Sequence, residues 1–171
     1  MTSLAEIAVL GVFPVLMAYA AASDLLTMTI PNRLTLALVA GFAVLAVISG
    51  LAAQTILLHV LAGGVVLAVT FALFAFGWIG GGDAKLAAAT ALWFGFTPLV
   101  DYLFIAAVGG GLLTLAILAL RFFPLPRFAL GWTWLSRMHD RNAGVPYGIA
   151  LAAAALLVYP QSEIWTAILA N

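Results

Sequence analysis

The sequence predicts an all-α integral membrane protein, a bundle of six transmembrane helices with both termini on the non-cytoplasmic side. Three observations carry this. The 171 residues are 66% hydrophobic and 7% charged, against about 45–50% and 25% in soluble domains. The apolar residues gather in runs near the ~20 residues that cross a ~30 Å hydrocarbon core. The six basic side chains fall in alternate connections, the asymmetry that orients membrane proteins.

The first span covers about 4–23. Glu6 is the only charged side chain of the N-terminal segment, so the basic start of a secretory signal is missing and the segment reads as a retained helix. The polar turn Thr29-Ile30-Pro31-Asn32-Arg33 follows, and Pro31 disfavours a helical Ile30. The second span runs about 33–50 and the third about 56–77, with Gly63-Gly64 inside. The fourth runs about 83–97 and stops at Pro98. The fifth runs about 99–120 and holds Gly109-Gly110-Gly111. The sixth opens near Pro146 and ends near 159, leaving a short interfacial tail after Pro160. Small residues such as Ala107 and Gly111 suit close helix contacts in lipid. The whole of 1–171 reads as one membrane-embedded domain, with 121–144 as its long basic and aromatic loop.

With six spans, Arg33, Lys85, Arg121, Arg127, Arg137 and Arg141 all fall on one side. That side is expected to be cytoplasmic. Scarce charge and zero net charge remove the electrostatic basis for nucleic-acid binding. The absence of cysteine excludes disulfides, thiolate zinc sites and a thiol nucleophile. His59 reads as outer-side and His139 as a loop residue, so neither a metal nor a cofactor is expected.

The same topology sorts the acids. Asp24 stands at the cytoplasmic end of span one and Asp83 at the cytoplasmic start of span four. Asp101, Glu6 and Glu163 fall on the other side. Asp140 reads as a solvated partner of Arg137 or Arg141. From Asp83 to Thr97 the fourth span has only about 15 residues, about 22 Å at 1.5 Å per residue. The bilayer must thin there or Asp83 must lie below the surface in a wet cavity, with Gly80, Gly81 and Gly82 as irregular backbone against protein or water. The plain readings are an N-cap for Asp83 and a solvated helix end for Asp24. The chemical reading is a dyad. Two close carboxylates do not both ionise easily, so one keeps a proton. The ionised member takes a proton from water while the other donates to the scissile carbonyl oxygen.

Three segments resemble one family. Asp24-Leu-Leu-Thr-Met-Thr-Ile30-Pro31-Asn32 is similar to the D-x5-I-P-N segment of type IV prepilin peptidases. Gly80-Gly81-Gly82-Asp83-Ala84-Lys85 is similar to their GxGD signature with its following lysine. Val145-Pro146-Tyr147-Gly148 resembles the PYG segment of the compact branch serving Tad/Flp pili. The resemblance implies a GxGD-type membrane aspartic endopeptidase of the bacterial inner membrane, with Asp24 and Asp83 as the catalytic pair. It implies prepilin and pseudopilin substrates, cut at the cytoplasmic face between a basic leader and a hydrophobic helix. Larger members carry a cytoplasmic domain after span one that is associated with N-methylation. Only 24–32 holds that position here, so methyltransferase activity is not expected.

Lys85 reads first as a positive-inside anchor and second as a substrate contact. Asn32 reads as a turn residue or as support for Asp24. Tyr147 reads as an interfacial tyrosine or a hydrogen-bond donor near the dyad, and Pro146 and Gly148 as shaping the start of span six. Loop 121–144 has the composition of a segment lying on the membrane surface. Two other function classes fit the same features: a small transporter or channel using membrane-edge carboxylates, and a non-enzymatic scaffold of a pilus or secretion apparatus. Nothing in the sequence fixes the oligomeric state.

Overall fold

A computed structural model describes residues 4–125 and 131–169. Arg127 and Phe128 of the basic, aromatic loop lie outside the described residues. Each expected span coincides with a helix: α1 (Leu4–Thr27), α2 (Asn32–Ile48), α3 (Ala53–Ala75), α4 (Gly81–Phe94), α5 (Leu99–Leu120) and α7 (Tyr147–Val158). Two short helices add to these. α6 (Thr133–His139) lies in the long loop, and α8 (Glu163–Leu169) follows a 3-10 turn at Tyr159–Gln161. Among the described residues there is no strand.

Three helices are long and apolar enough to cross a membrane: α1 from Glu6, α3 and α5. Tyr147–Gln161 and Glu163–Leu169 make a fourth only as a pair bent by 45°. The chain is thus an all-helical protein with three to four candidate membrane spans, compatible with a multi-pass membrane protein. α2 with 17 residues, α4 with 14 and α7 with 12 are shorter.

The ends of the helices follow from local chemistry. Pro31 has φ −64° and ψ 142° and caps α2 in an extended conformation. α2 and α3 both close in Schellman motifs. Gly50 (φ 67°) donates to Val47 O while Leu51 N–H reaches Ala46 O, and Gly77 (φ 75°) donates to Phe74 O while Trp78 N–H reaches Leu73 O. Both motifs need the left-handed backbone that glycine adopts freely. α1 continues past Asp24 to Thr27, so Asp24 sits in its last turn rather than after it. Gly81 and Gly82 belong to the first turn of α4, so irregular backbone is confined to 76–80.

The bundle is small inside and large outside. α4 lies at its centre, packed against α3, α2 and α7, and α7 also packs on α1 and α5. Ala87, Ala91, Ala152, Ala154 and Ala155 are buried, and such small side chains let helix backbones approach closely. Leu57, Val65 and Phe71 of α3 and Phe104, Leu112 and Leu115 of α5 point outward, as lipid-facing residues do. An aromatic cluster fills the end of the core away from the Asp24 and Asp83 pair. Trp93 is 0% exposed, donates from Nε1 to Leu38 O at 3.0 Å, and packs on Phe13, Phe42 and Tyr159. Tyr159 in turn donates to Val9 O at 3.0 Å.

The glycines of α5 behave differently from expectation. Gly111 faces open space, whereas a Cβ on Gly110 would lie 1.9 Å from the Tyr147 ring. Gly110 is therefore the close-contact position of this run, because the Tyr147 ring of α7 occupies the space a side chain would need.

Candidate active site

Asp24 and Asp83 come from opposite parts of the chain and line the same two cavities. The larger, of about 670 Å³, is also lined by Gly77, Trp78, Ile79, Gly80 and Tyr147. The smaller, of about 280 Å³, adds Thr29, Ile30, Gly81, Gly82 and Lys85.

Asp24 is 5% exposed. Its Oδ2 accepts the Gly148 N–H at 2.7 Å, across 124 residues of sequence. Gly148 is the second residue of α7, so this bond satisfies one of the free N–H groups at that helix start. A Cβ at Gly148 would stand 2.8 Å from Asp24 Oδ2 and 2.9 Å from Ile30 Cδ1. Only glycine lets the carboxylate reach the helix.

Asp83 occupies the third position of α4, with Gly80 rather than Asp83 as N-cap. Its carboxylate bonds back to the Gly80 N–H, the reciprocal half of a capping box. A Cβ on Gly80 would lie 2.9 Å from Asp83 Oδ2. Two helix N-termini, α7 and α4, thus point their N–H groups at one acid pair, placing the positive ends of two helix dipoles there.

Ile30 joins these two helix starts. It is buried, its Cδ1 abuts Gly148, and a Cβ on Gly82 would come within 3.3 Å of its Cβ. The side chain wedges between α4 and α7 and sets their spacing. Ile30 appeared in the sequence only as part of a motif; the signal for its role is an apolar residue held extended by the following Pro31.

Lys85 donates from Nζ to Asn32 Oδ1. Asn32 is thereby tied to Lys85 rather than to Asp24. The Tyr147 ring lines the larger cavity, with its hydroxyl donating to Ala106 O at a long 3.4 Å. Pro146 caps α7. Trp78 and Met28, which the sequence reading did not single out, line the cavity beside the acids. Met28 has a left-handed φ of 55°, uncommon for a side chain of its size. The turn it enables is tied by Ser23, whose hydroxyl donates to Thr29 O at 2.8 Å.

Two arginines brace this end of the bundle. Arg121 donates to Met138 O and Ala143 O, and more weakly to Gly144 O. This holds the strap that carries Val145 and Pro146 into α7. Arg137 donates to Leu26 O at 2.9 Å, not to Asp140, whose carboxylate accepts the Asn142 N–H. The remaining acids stay apart from the site. Asp101 lies in the first turn of α5. Glu163 approaches His59 at 3.9 Å, and His59 itself holds Leu92 O at 2.8 Å. Among the described residues no group of three His, Cys, Asp or Glu could hold a metal.

The arrangement offers two carboxylates, backbone donors that fix their orientation, and two cavities that both acids line. Such a site can activate water against a carbonyl carbon. A model of the type IV leader peptidase family matches residues 11–115, more than half of the chain and inclusive of both acids. No curated protein and no solved structure matches it. Asp24 and Asp83 therefore stand inside the matched region, with Tyr147 and Gly148 beyond it, and the chain belongs to the type IV leader peptidase family.

Proposed function

We propose that this protein is a membrane-embedded aspartic endopeptidase that removes the basic leader from prepilins or pseudopilins, in the manner of the compact branch serving Tad/Flp pili. The observation that carries the reading is the convergence of Asp24 and Asp83 on one cavity, each fixed by a helix N-terminus. In the resting pair one proton is shared, because two close carboxylates do not both ionise easily. The ionised carboxylate takes a proton from water as the oxygen attacks the scissile carbonyl carbon. The protonated carboxyl gives its proton to the carbonyl oxygen. Collapse of the tetrahedral intermediate breaks the C–N bond; the leaving amine takes the proton that came from water, and a hydroxyl of the intermediate returns its proton to the other carboxylate, restoring the singly protonated pair. Neither carboxylate bonds covalently to the substrate.

The membrane arrangement belongs to the same proposal. Six passes put both termini outside and the acid pair at the cytoplasmic face of the bacterial inner membrane. Arg33, Lys85, Arg121, Arg137 and Arg141 support this side, since they share the end of the bundle that holds the acids. α4 at 14 residues spans about 21 Å. Packed along the 23-residue α3 and against α2 and α7, it need not match the bilayer itself. A short central helix drops Asp83 below the surface, where water reaches it only through the cavity.

The test is reconstitution with a prepilin carrying an intact leader. Wild-type protein releases the leader, whereas Asp24→Asn and Asp83→Asn leave it attached while remaining helical and membrane-inserted. Normal processing by either variant overturns the assignment.

A further inference from the structure

α2 and α3 follow each other in the chain yet touch little. α3 packs mainly on α4, whereas α2 packs on both α1 and α4, so α2 and α3 flank α4. The wedge left between them is an apolar groove of about 250 Å³, walled by Leu36 and Val39 of α2 and by Val60 and Leu67 of α3, and floored by Ala88 and Ala89 of α4. Its two polar members are accounted for: the Thr35 hydroxyl donates to Asn32 O, and Lys85 bonds Asn32. We propose that this groove docks the hydrophobic helix of the substrate, and that the Lys85–Asn32 bridge marks where that helix meets the catalytic cavity. The proposal rests on the leader-peptidase reading and names the docking surface of that same reaction.

Three observations choose the occupant. Lys85 lines both the groove and the smaller cavity shared by Asp24 and Asp83, so the groove adjoins the cavity of the acid pair. Gly64 lines the groove, and a Cβ there would meet nothing within 4 Å, although its neighbour Gly63 is packed within 3.3 Å of Ala88 O. A glycine in mid-helix is less stable than alanine, and no contact within the chain requires it at 64. A second helix approaching backbone to backbone makes use of such a position, and of the helical glycines open in this way only Gly64 lines the groove. Finally, the floor residues Lys85, Ala88, Ala89 and Leu92 follow one face of α4 at helical spacing, leading away from Asp83. A helix seated there runs alongside α4 and starts at the acids.

The direction of the substrate follows. The larger cavity, walled by Trp78 and Tyr147, shares Asp24 and Asp83 with the smaller one but is not lined by Lys85. The mature helix leaves past Lys85 into the groove, and the leader extends past Trp78. The bond to be cut lies between them.

The chain has no cysteine, so single reactive sites are easily placed. Leu36 and Leu67 are 66% and 47% exposed. Leu36→Cys and Leu67→Cys, each combined with Asp83→Asn to retain uncut substrate, are to be cross-linked in membranes to a prepilin bearing one cysteine moved along its helix. Leu115→Cys on the outer face of α5 is the control. The groove positions are expected to capture substrate cysteines spaced three or four apart, and Leu115→Cys to capture none. In the active protein, Gly64→Leu is expected to raise KM about tenfold with kcat within about twofold. Capture from Leu115→Cys equal to that from the groove overturns the proposal. So does an unchanged KM in Gly64→Leu, which assigns the groove to lipid. If wild-type protein cleaves the prepilin while these results fail, only the docking surface falls; a wild-type protein that leaves the prepilin intact removes both readings.

Discussion

Asp24 is held where it is by a residue 124 positions away. Its carboxylate reaches α7 only because Gly148 has no side chain. Adding a single methyl at that point pushes the carboxylate off the Gly148 N–H. A displacement near 1 Å in a catalytic group can cost about a hundredfold. Gly148→Ala is therefore expected to lower kcat by at least about tenfold while circular dichroism stays that of the wild type. The same logic separates the glycines of α5. Gly110→Leu must displace the Tyr147 ring and is expected to destabilise the fold by about 1–3 kcal/mol. Gly111→Leu projects into open space and should stay within about 0.5 kcal/mol of wild type. Unfolding in detergent distinguishes the two. The Gly148 bond could not be read from the sequence, since no local pattern links residues 24 and 148. The motif residues around each acid could be.

At the scale of helices, α4 is the element on which the rest depends. Its C-terminal end carries Trp93, fully buried and bonded to Leu38 O; its N-terminal end carries Asp83. Trp93→Ala should cost about 3–5 kcal/mol, seen as a lower unfolding midpoint, with cleavage retained by the fraction that stays folded. The helices themselves were legible because their signals are local. Pro31 separates α1 from α2, Pro98 precedes α5, Gly50 and Gly77 end α2 and α3, and Pro146 precedes α7. Their boundaries moved where packing decided instead. α1 ran on beyond Asp24, and Gly81 and Gly82 joined α4 because Phe74 and Ile30 close over them. α6 was hidden in a loop whose arginines and tryptophans read as a surface segment. Arg121 and Arg137 turn that loop into a brace, and contacts of this kind carry no periodic signature.

Across the whole molecule, the division of charge and bulk defines two ends and an outside. The acid pair, Lys85 and the bracing arginines share one end; His59, Glu163 and the aromatic cluster mark the other. The proposed orientation is open to direct labelling, because Gln54 and Asn142 are exposed at opposite ends. In intact cells, Gln54→Cys is expected to react with a membrane-impermeant maleimide and Asn142→Cys only after lysis. The reverse pattern would invert the topology. The central claim is that Asp24 and Asp83 act as one catalytic unit on the leader junction. The most direct measurement is single-turnover cleavage of a purified prepilin by wild-type protein, Asp24→Asn, Asp83→Asn and the double variant. If the two acids work together, each single variant loses at least about a thousandfold in rate and the double variant loses no more than either, since residues that act as a unit are not additive. A single variant that cleaves near the wild-type rate, or losses that multiply in the double variant, would contradict it.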